Sequence, residues 1–185
     1  QDNIDAINFS IVAFHQMEGC QSKKEELILK LKNKADEGNI DAIMSYADIL
    51  FFGKIIPADI NESSNYMKKA ADKGNIDAIY RYIIMLNQMN EPLSNMNDYL
   101  IKLKNEADKG NHSAMCYYSA LLTKINGINY DQIERQNYLK KAIKCNNVDA
   151  MHVHSLEILL NIITNKEYEK EDEDEAFKYL KISAD

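Results

Sequence analysis

The sequence predicts an all-α fold, built as a stacked array of helix pairs. Three observations carry this prediction. Ala6, Ala42, Ala78, Ala114 and Ala150 stand at a constant step of 36 residues, and a fixed period of this size marks a repeat architecture. Only two prolines and six glycines occur in 185 residues, so few breakers interrupt a helix. Within each repeat, apolar residues recur at three- and four-residue steps, the spacing of one helix face.

The repeats are organised around one junction, Lys69-Ala70-Ala71-Asp72-Lys73-Gly74-Asn75-Ile76-Asp77-Ala78. It recurs upstream from Lys34 to Ala42 and downstream from Glu106 to Ala114. A worn copy runs from Ala142 to Ala150, and Asn3-Ile4-Asp5-Ala6 is half of another. The repeats span about 1–37, 38–73, 74–109, 110–145 and 146–185, a single repeat domain. Gln1 and Asp185 both fall at repeat junctions, so the chain is expected to be an excerpt of a longer protein.

Each repeat reads as two helices. The first repeat pairs Asn3–Met17 with Lys23–Glu37, where Ser22 caps the second helix and Glu25 completes a capping box. In the second repeat, Asn39 or Asp41 caps the first helix by accepting from its unpaired N–H groups. Ala42, Ile43, Tyr46, Ala47 and Leu50 form its apolar stripe, and Gly53 and Pro57 end it. Asp59 or Asn61 starts the second helix, striped by Tyr66, Met67, Ala70 and Ala71. Gly74 ends that helix in the left-handed region. The third repeat runs Asn75–Gln88 and Asn95–Lys109, and the fourth Asn111–Lys124 and Asp131–Lys144. The fifth runs Asn147–Ile163, then roughly Asp172–Ala184.

The small stripe residues let backbones approach closely, and neither helix of a pair can bury its stripe alone, so the repeats must stack. The fifth repeat carries five extra residues within Asn165–Glu175, which hold seven acids. The run lacks the glycine and ligand spacing of an EF-hand. A calcium or basic-partner site is one reading. A solvated loop, with its acids at a helix N-terminus, is the simpler one.

Composition narrows the function. The net charge is −7 and the longest Lys/Arg run is a pair, which disfavours nucleic acid. No apolar run approaches the ~20 residues of a membrane span. Cys20, Cys116 and Cys145 are odd in number, share no repeat position and form no Cys-x-x-Cys, so neither a disulfide framework nor a zinc site is expected. Buried or idle thiols in a reducing, cytoplasmic setting are the reading that follows. His152 and His154 are two apart and point to different faces of a helix, so they cannot chelate one metal together. His15 and His112 belong to no cluster either. With no phosphate loop, nucleophile elbow or His-Glu-x-x-His present, neither an enzyme nor a cofactor is expected.

The second repeat reads Ala42-x-x-x-Tyr46-Ala47-x-x-Leu50-x-x-Gly53-x-Ile55-Ile56-x-x-Asp59, then Tyr66-x-x-Lys69-Ala70-Ala71-x-x-Gly74. This pattern resembles the Sel-one-like repeat (SLR), a relative of the tetratricopeptide repeat, and the resemblance covers all five copies. The step of 36 rather than about 34 residues separates it from a tetratricopeptide array. The family's Leu-Gly pair in the first helix is Tyr46-Ala47, Tyr82-Ile83, Tyr118-Ser119 and His154-Ser155 here. The small residue opening the second helix is Ser63 or Ala176 in two repeats, but Tyr99 and Arg135 in others. The resemblance implies a right-handed α-solenoid of antiparallel helix pairs, with first helices lining a concave face. Some cysteine-rich members are linked to β-lactams, but their paired cysteines are absent here.

By that analogy, the non-stripe positions of the first helices face inward. Those expected to meet a partner are Met44, Asp48, Phe51, Phe52, Tyr80, Ile84, Asn87, Gln88, Thr123 and Lys124. Asn8, Val12, Cys116, Ala120, His152 and Leu156 extend the set. This face is low in charge, which suits a peptide or partner protein, unless tight curvature buries it between helices. The expected function is a non-catalytic protein-interaction scaffold. The alternative is a structural spacer or regulatory arm beside another domain such as a kinase. Exposed array ends would also permit self-association.

Overall fold

Each repeat junction is closed by the same backbone hydrogen bonds. At the second junction, Asn75 N donates to Ala70 O at 3.2 Å and Gly74 N donates to Ala71 O at 3.0 Å, the pattern of a Schellman C-terminus. Gly74 sits at φ +83°, where a side chain would be strained. Asn75 then caps the next helix, its Oδ1 accepting from Ala78 N at 2.9 Å. One glycine–asparagine pair thus ends one helix and starts the next. Gly38–Asn39 and Gly110–Asn111 do the same. In the worn copy Asn146 takes the glycine's place at φ +57°, since asparagine is the residue that best tolerates that region.

The computed structural model describes residues 3–17, 19–125, 132–165 and 170–184, and among these every regular element is an α-helix. They are α1 (Ile4–Gln16), α2 (Gln21–Asp36), α3 (Ile40–Phe52), α4 (Ile60–Asp72) and α5 (Ile76–Gln88). They continue with α6 (Leu93–Asp108), α7 (His112–Lys124), α8 (Gln132–Lys144), α9 (Val148–Asn165) and α10 (Lys170–Ala184). The two-helix repeat read from the sequence is thereby present five times. Asp131, the expected start of the second helix of the fourth pair, and Gly127 before it lie outside the described residues.

Local signals placed most boundaries, with three corrections. Helix α2 begins at Gln21, so Ser22 lies inside it and is not its cap. Cys20 holds the cap position without a side-chain bond, and Gln21 Nε2 donates to Glu25 Oε1 instead. Helix α6 begins two residues before the expected Asn95, because Pro92 stands just ahead of it with its φ already at −64°. Helix α10 begins at Lys170 rather than Asp172, which puts the second half of the acidic run on its first turns, where acids oppose the helix dipole. Residues 166–169 of that run lie outside the described residues.

The stripes are buried as the periodicity requires. Ala42, Ile43, Tyr46, Ala47 and Leu50 of α3 are all buried, as are Tyr66, Met67, Ala70 and Ala71 of α4. Ser63 is buried too, its Oγ donating to Ala47 O at 2.7 Å. Only a small residue at 63 lets the two backbones come that close.

The helices group into two compact units, Gln1–Glu91 and Pro92–Asp185. In the first, α1, α3 and α5 are joined side by side. Asn8 Nδ2 donates to Ser45 Oγ at 2.7 Å, and Arg81 Nη1 donates to both Asp48 carboxylate oxygens at 2.8 and 2.9 Å. Behind them α2 and α4 are joined by Lys32 and Glu62 at 2.7 Å and by Tyr66 and Asp36 at 2.6 Å. The second unit repeats this layering. His112 of α7 and Asn147 at the start of α9 meet at 3.0 Å, while Lys104 and Glu134 join α6 to α8 at 2.6 Å.

Candidate functional site

The stripes turn one side of α3 and α5 into the core, which leaves the other side to form a face of the first unit. On α3, Met44, Asp48 and Phe51 are half-buried and Phe52 is 61% exposed. The Phe51 and Phe52 rings meet edge to face with centroids 5.3 Å apart, a favoured aromatic geometry. The Lys54 ammonium lies 5.9 Å from the Phe52 ring centre. On α5, Tyr80, Ile84 and Asn87 are half-buried and Gln88 is exposed. Phe52 and Gln88 are thus the exposed members of the set, and the others are half-buried.

Asp48 has a structural partner. The Arg81 guanidinium grips both its oxygens, a bidentate geometry that fixes α3 against α5. Burial nonetheless pushes the Asp48 carboxyl above its usual range, outweighing the nearby cation. Sequence reading missed Arg81, because its partner lies 33 residues away. It also missed Phe9, which is 77% exposed on α1 beside half-buried Asn8. A large apolar residue outside the Ile4, Ile7 and Ile11 stripe was the available signal.

The second unit supplies Thr123 and Lys124, both exposed at the end of α7. The Thr123 hydroxyl donates to Ala120 O of its own helix at 2.9 Å. Cys116, expected on the surface, is buried, and burial pushes its thiol up to about 12. On α9, His152, Leu156 and Leu160 are exposed.

Chemistry is sparse. Among the described residues no three His, Cys, Asp or Glu side chains come together as a metal set. The three cysteines are free thiols. Cys116 is buried, Cys20 half-buried and Cys145 exposed. Among the described residues no helix is long and apolar enough to cross a membrane.

No family model matches the chain, and no curated protein matches it. Solved structures do. One is a protective antigen present in uropathogenic Escherichia coli strains and displaying an SLR fold. It aligns over 100% of this chain at 18% identity with a TM-score of 0.62. The chain spans 38% of that protein's length. Another is a Sel1 repeat protein from Oxalobacter formigenes, aligned over 89% of this chain and 74% of its own at 19% identity, with a TM-score of 0.60. The fold is that of the SLR proteins.

Proposed function

We propose that this SLR-fold array is a protein-interaction scaffold that holds a peptide or partner protein on the face formed by its first helices. The observation that carries the reading is the aromatic pair at the end of α3, with Phe52 61% exposed beside half-buried Phe51. Exposed aromatics next to half-buried apolar neighbours are the kind of anchor that partner surfaces use. Met44, Tyr80 and Ile84 would extend the apolar floor, and Asn87 and Gln88 would offer amides to a partner backbone. Thr123 and Lys124 would serve the same role in the second unit. No catalytic role is assigned to any residue.

The test is affinity capture with the 185-residue chain as bait and the Phe51→Ala, Phe52→Ala double variant as control. Loss of about 2 kcal/mol of binding, roughly thirtyfold in affinity, is expected for an aromatic anchor of this kind. A partner retained at full affinity by the double variant, with circular dichroism unchanged, would refute the assignment of the face. A chain that captures nothing would favour a spacer or regulatory arm.

A further inference from the structure

The seam between α8 and α9 departs from its counterparts. On α6 and α7, and just after α7, Leu100, Leu103, Leu121, Leu122 and Ile125 are all buried. Between α4 and α5, Met67, Met85 and Leu86 are buried, with buried Ser64 at the position of Leu100. One period of 36 residues after the α6–α7 set, Gln136 replaces Leu100, Glu157 replaces Leu121 and Asn161 replaces Ile125. Leu139 and Ile158 keep the apolar character of Leu103 and Leu122. Helix α9 accordingly packs less closely on α8 than α7 does on α6. Between α8 and α9 lies a cleft of about 170 Å³.

Three of the polar groups lining this cleft are left over by the fold. Among the described residues, the side chains of Gln136, Lys140 and Asn161 make no hydrogen bond or ion pair, and all three are exposed. Glu157 is taken by Arg135, whose side chain is only 8% exposed, so those two charges cancel. Burial lowers the pKa of the His154 imidazole below its usual value, which keeps the ring neutral near pH 7. The Glu175 carboxylate of α10 also acts on His154, and among the described residues Lys140 is the cation of the cleft without an ion pair. Its counterparts are matched, Lys68 by Asp72 at 2.7 Å and Lys104 by Glu134 at 2.6 Å. At Lys140 the residue four places on is Lys144, where Asp72 and Asp108 stand in the earlier repeats. Among the described residues, Lys140 thus lacks the acid that Asp72 provides for Lys68, at the seam where polar residues replace apolar ones.

We propose that the α8–α9 cleft binds a small organic carboxylate. The carboxylate sits on the Lys140 ammonium and accepts from the amides of Gln136 and Asn161, with its short aliphatic body against Leu139 and Ile158. The volume falls below the roughly 300 Å³ of drug-sized pockets, which limits the ligand to a few heavy atoms. A free acid and the side chain of a glutamate in a peptide share this chemistry. The site uses the stripe side of α9 and is independent of the first-helix face.

The experiment is a ¹⁵N NMR titration of the 185-residue chain with sodium glutarate, and separately with a capped glycine–glutamate–glycine tripeptide, each against sodium chloride at equal ionic strength. Saturable shifts confined to residues 136–140 and 154–161 are expected. The Lys140→Ala variant should bind roughly tenfold more weakly, the loss of one charge-assisted contact. The Gln136→Leu, Asn161→Ile variant installs the neighbouring seam's residues, and it should lose binding while gaining thermal stability. Binding of glutarate alone identifies a free acid, and binding of the tripeptide alone identifies a peptide side chain. The proposal is overturned if neither ligand gives saturable shifts there, if sodium chloride reproduces them, or if Lys140→Ala binds as tightly as the parent.

Discussion

The ammonium of Lys32 on α2 donates to the carboxylate of Glu62 on α4 at 2.7 Å. It lies 5.3 Å from the ring centre of Tyr46 and 5.9 Å from that of Tyr66. The two rings stand edge to face at 5.0 Å, and the Tyr66 hydroxyl donates to Asp36 at 2.6 Å. Seventy-two residues on, Lys104, Asp108, Tyr118, Glu134 and Tyr138 rebuild the group. Lys104 meets Glu134 at 2.6 Å, Tyr138 donates to Asp108 at 2.5 Å, and the two rings are 5.1 Å apart. Each compact unit therefore holds one copy of the same clamp between consecutive second helices. In the repeat between them in sequence, Lys102 stands at the position of Tyr66 and Tyr138.

These clamps make the fold sensitive to alkali. Burial and the bond to Asp36 push the Tyr66 hydroxyl up to about 12, and the bond to Glu62 raises Lys32 above its usual value. A group whose folded pKa is raised holds its proton longer folded than unfolded, so its contribution is whole below the unfolded pKa. Stability should hold up to about pH 10 and then fall toward pH 12. Urea midpoints across that range will show it, and Tyr66→Phe should flatten the decline while costing about 1 kcal/mol at neutral pH.

The Gly74→Ala substitution isolates the cost of the left-handed backbone. No atom lies within 4 Å of the place a methyl would occupy, so the penalty is conformational alone, about 1 kcal/mol. Asn75→Ala should cost a similar ~1 kcal/mol through the lost cap. At the worn junction, Asn146→Gly should be tolerated better than Asn146→Ala. Chemical denaturation of the variants ranks these effects, and equal losses for Asn146→Gly and Asn146→Ala would contradict the backbone argument.

The thiols should separate by burial. Cys145 is exposed and should react with a disulfide reagent at once at pH 8. Cys116 is buried with its thiol pushed up to about 12, so little thiolate exists to attack. Timed labelling followed by mass spectrometry should find Cys116 protected until the chain unfolds.

Arg135 and Glu157 should behave as a unit. Arg135 is buried, and its Nε has no hydrogen-bond partner. Glu157→Leu leaves that cation uncompensated and should cost about 3 kcal/mol. Adding Arg135→Tyr restores the residue types of the preceding repeat, Tyr99 and Leu121. The double variant should recover most of the loss, a non-additivity that thermal unfolding of the four-member cycle measures.

The repeat, the helix pairs and their stripes were readable from local sequence. Each of these rests on local rules: a glycine that accepts positive φ, an asparagine that caps, and a 3.6-residue period that sets which side is apolar. Where a local rule had a rival, the reading slipped. Ser22 matched a capping pattern, yet helix α2 had already begun at Gln21. Only the tertiary structure decided which side chains meet across repeats. Asp48 reaches Arg81 and Lys32 reaches Glu62 because neighbouring helices are set at a particular rotation and rise. That setting is the sum of many weak packing contacts, and no short stretch encodes it. The half-burial of Met44 and Tyr80 and the opening of the α8–α9 seam follow from the same geometry. The polar residues at 136, 157 and 161 were legible from the start, but that they line one cleft is a property of how two helices lie together.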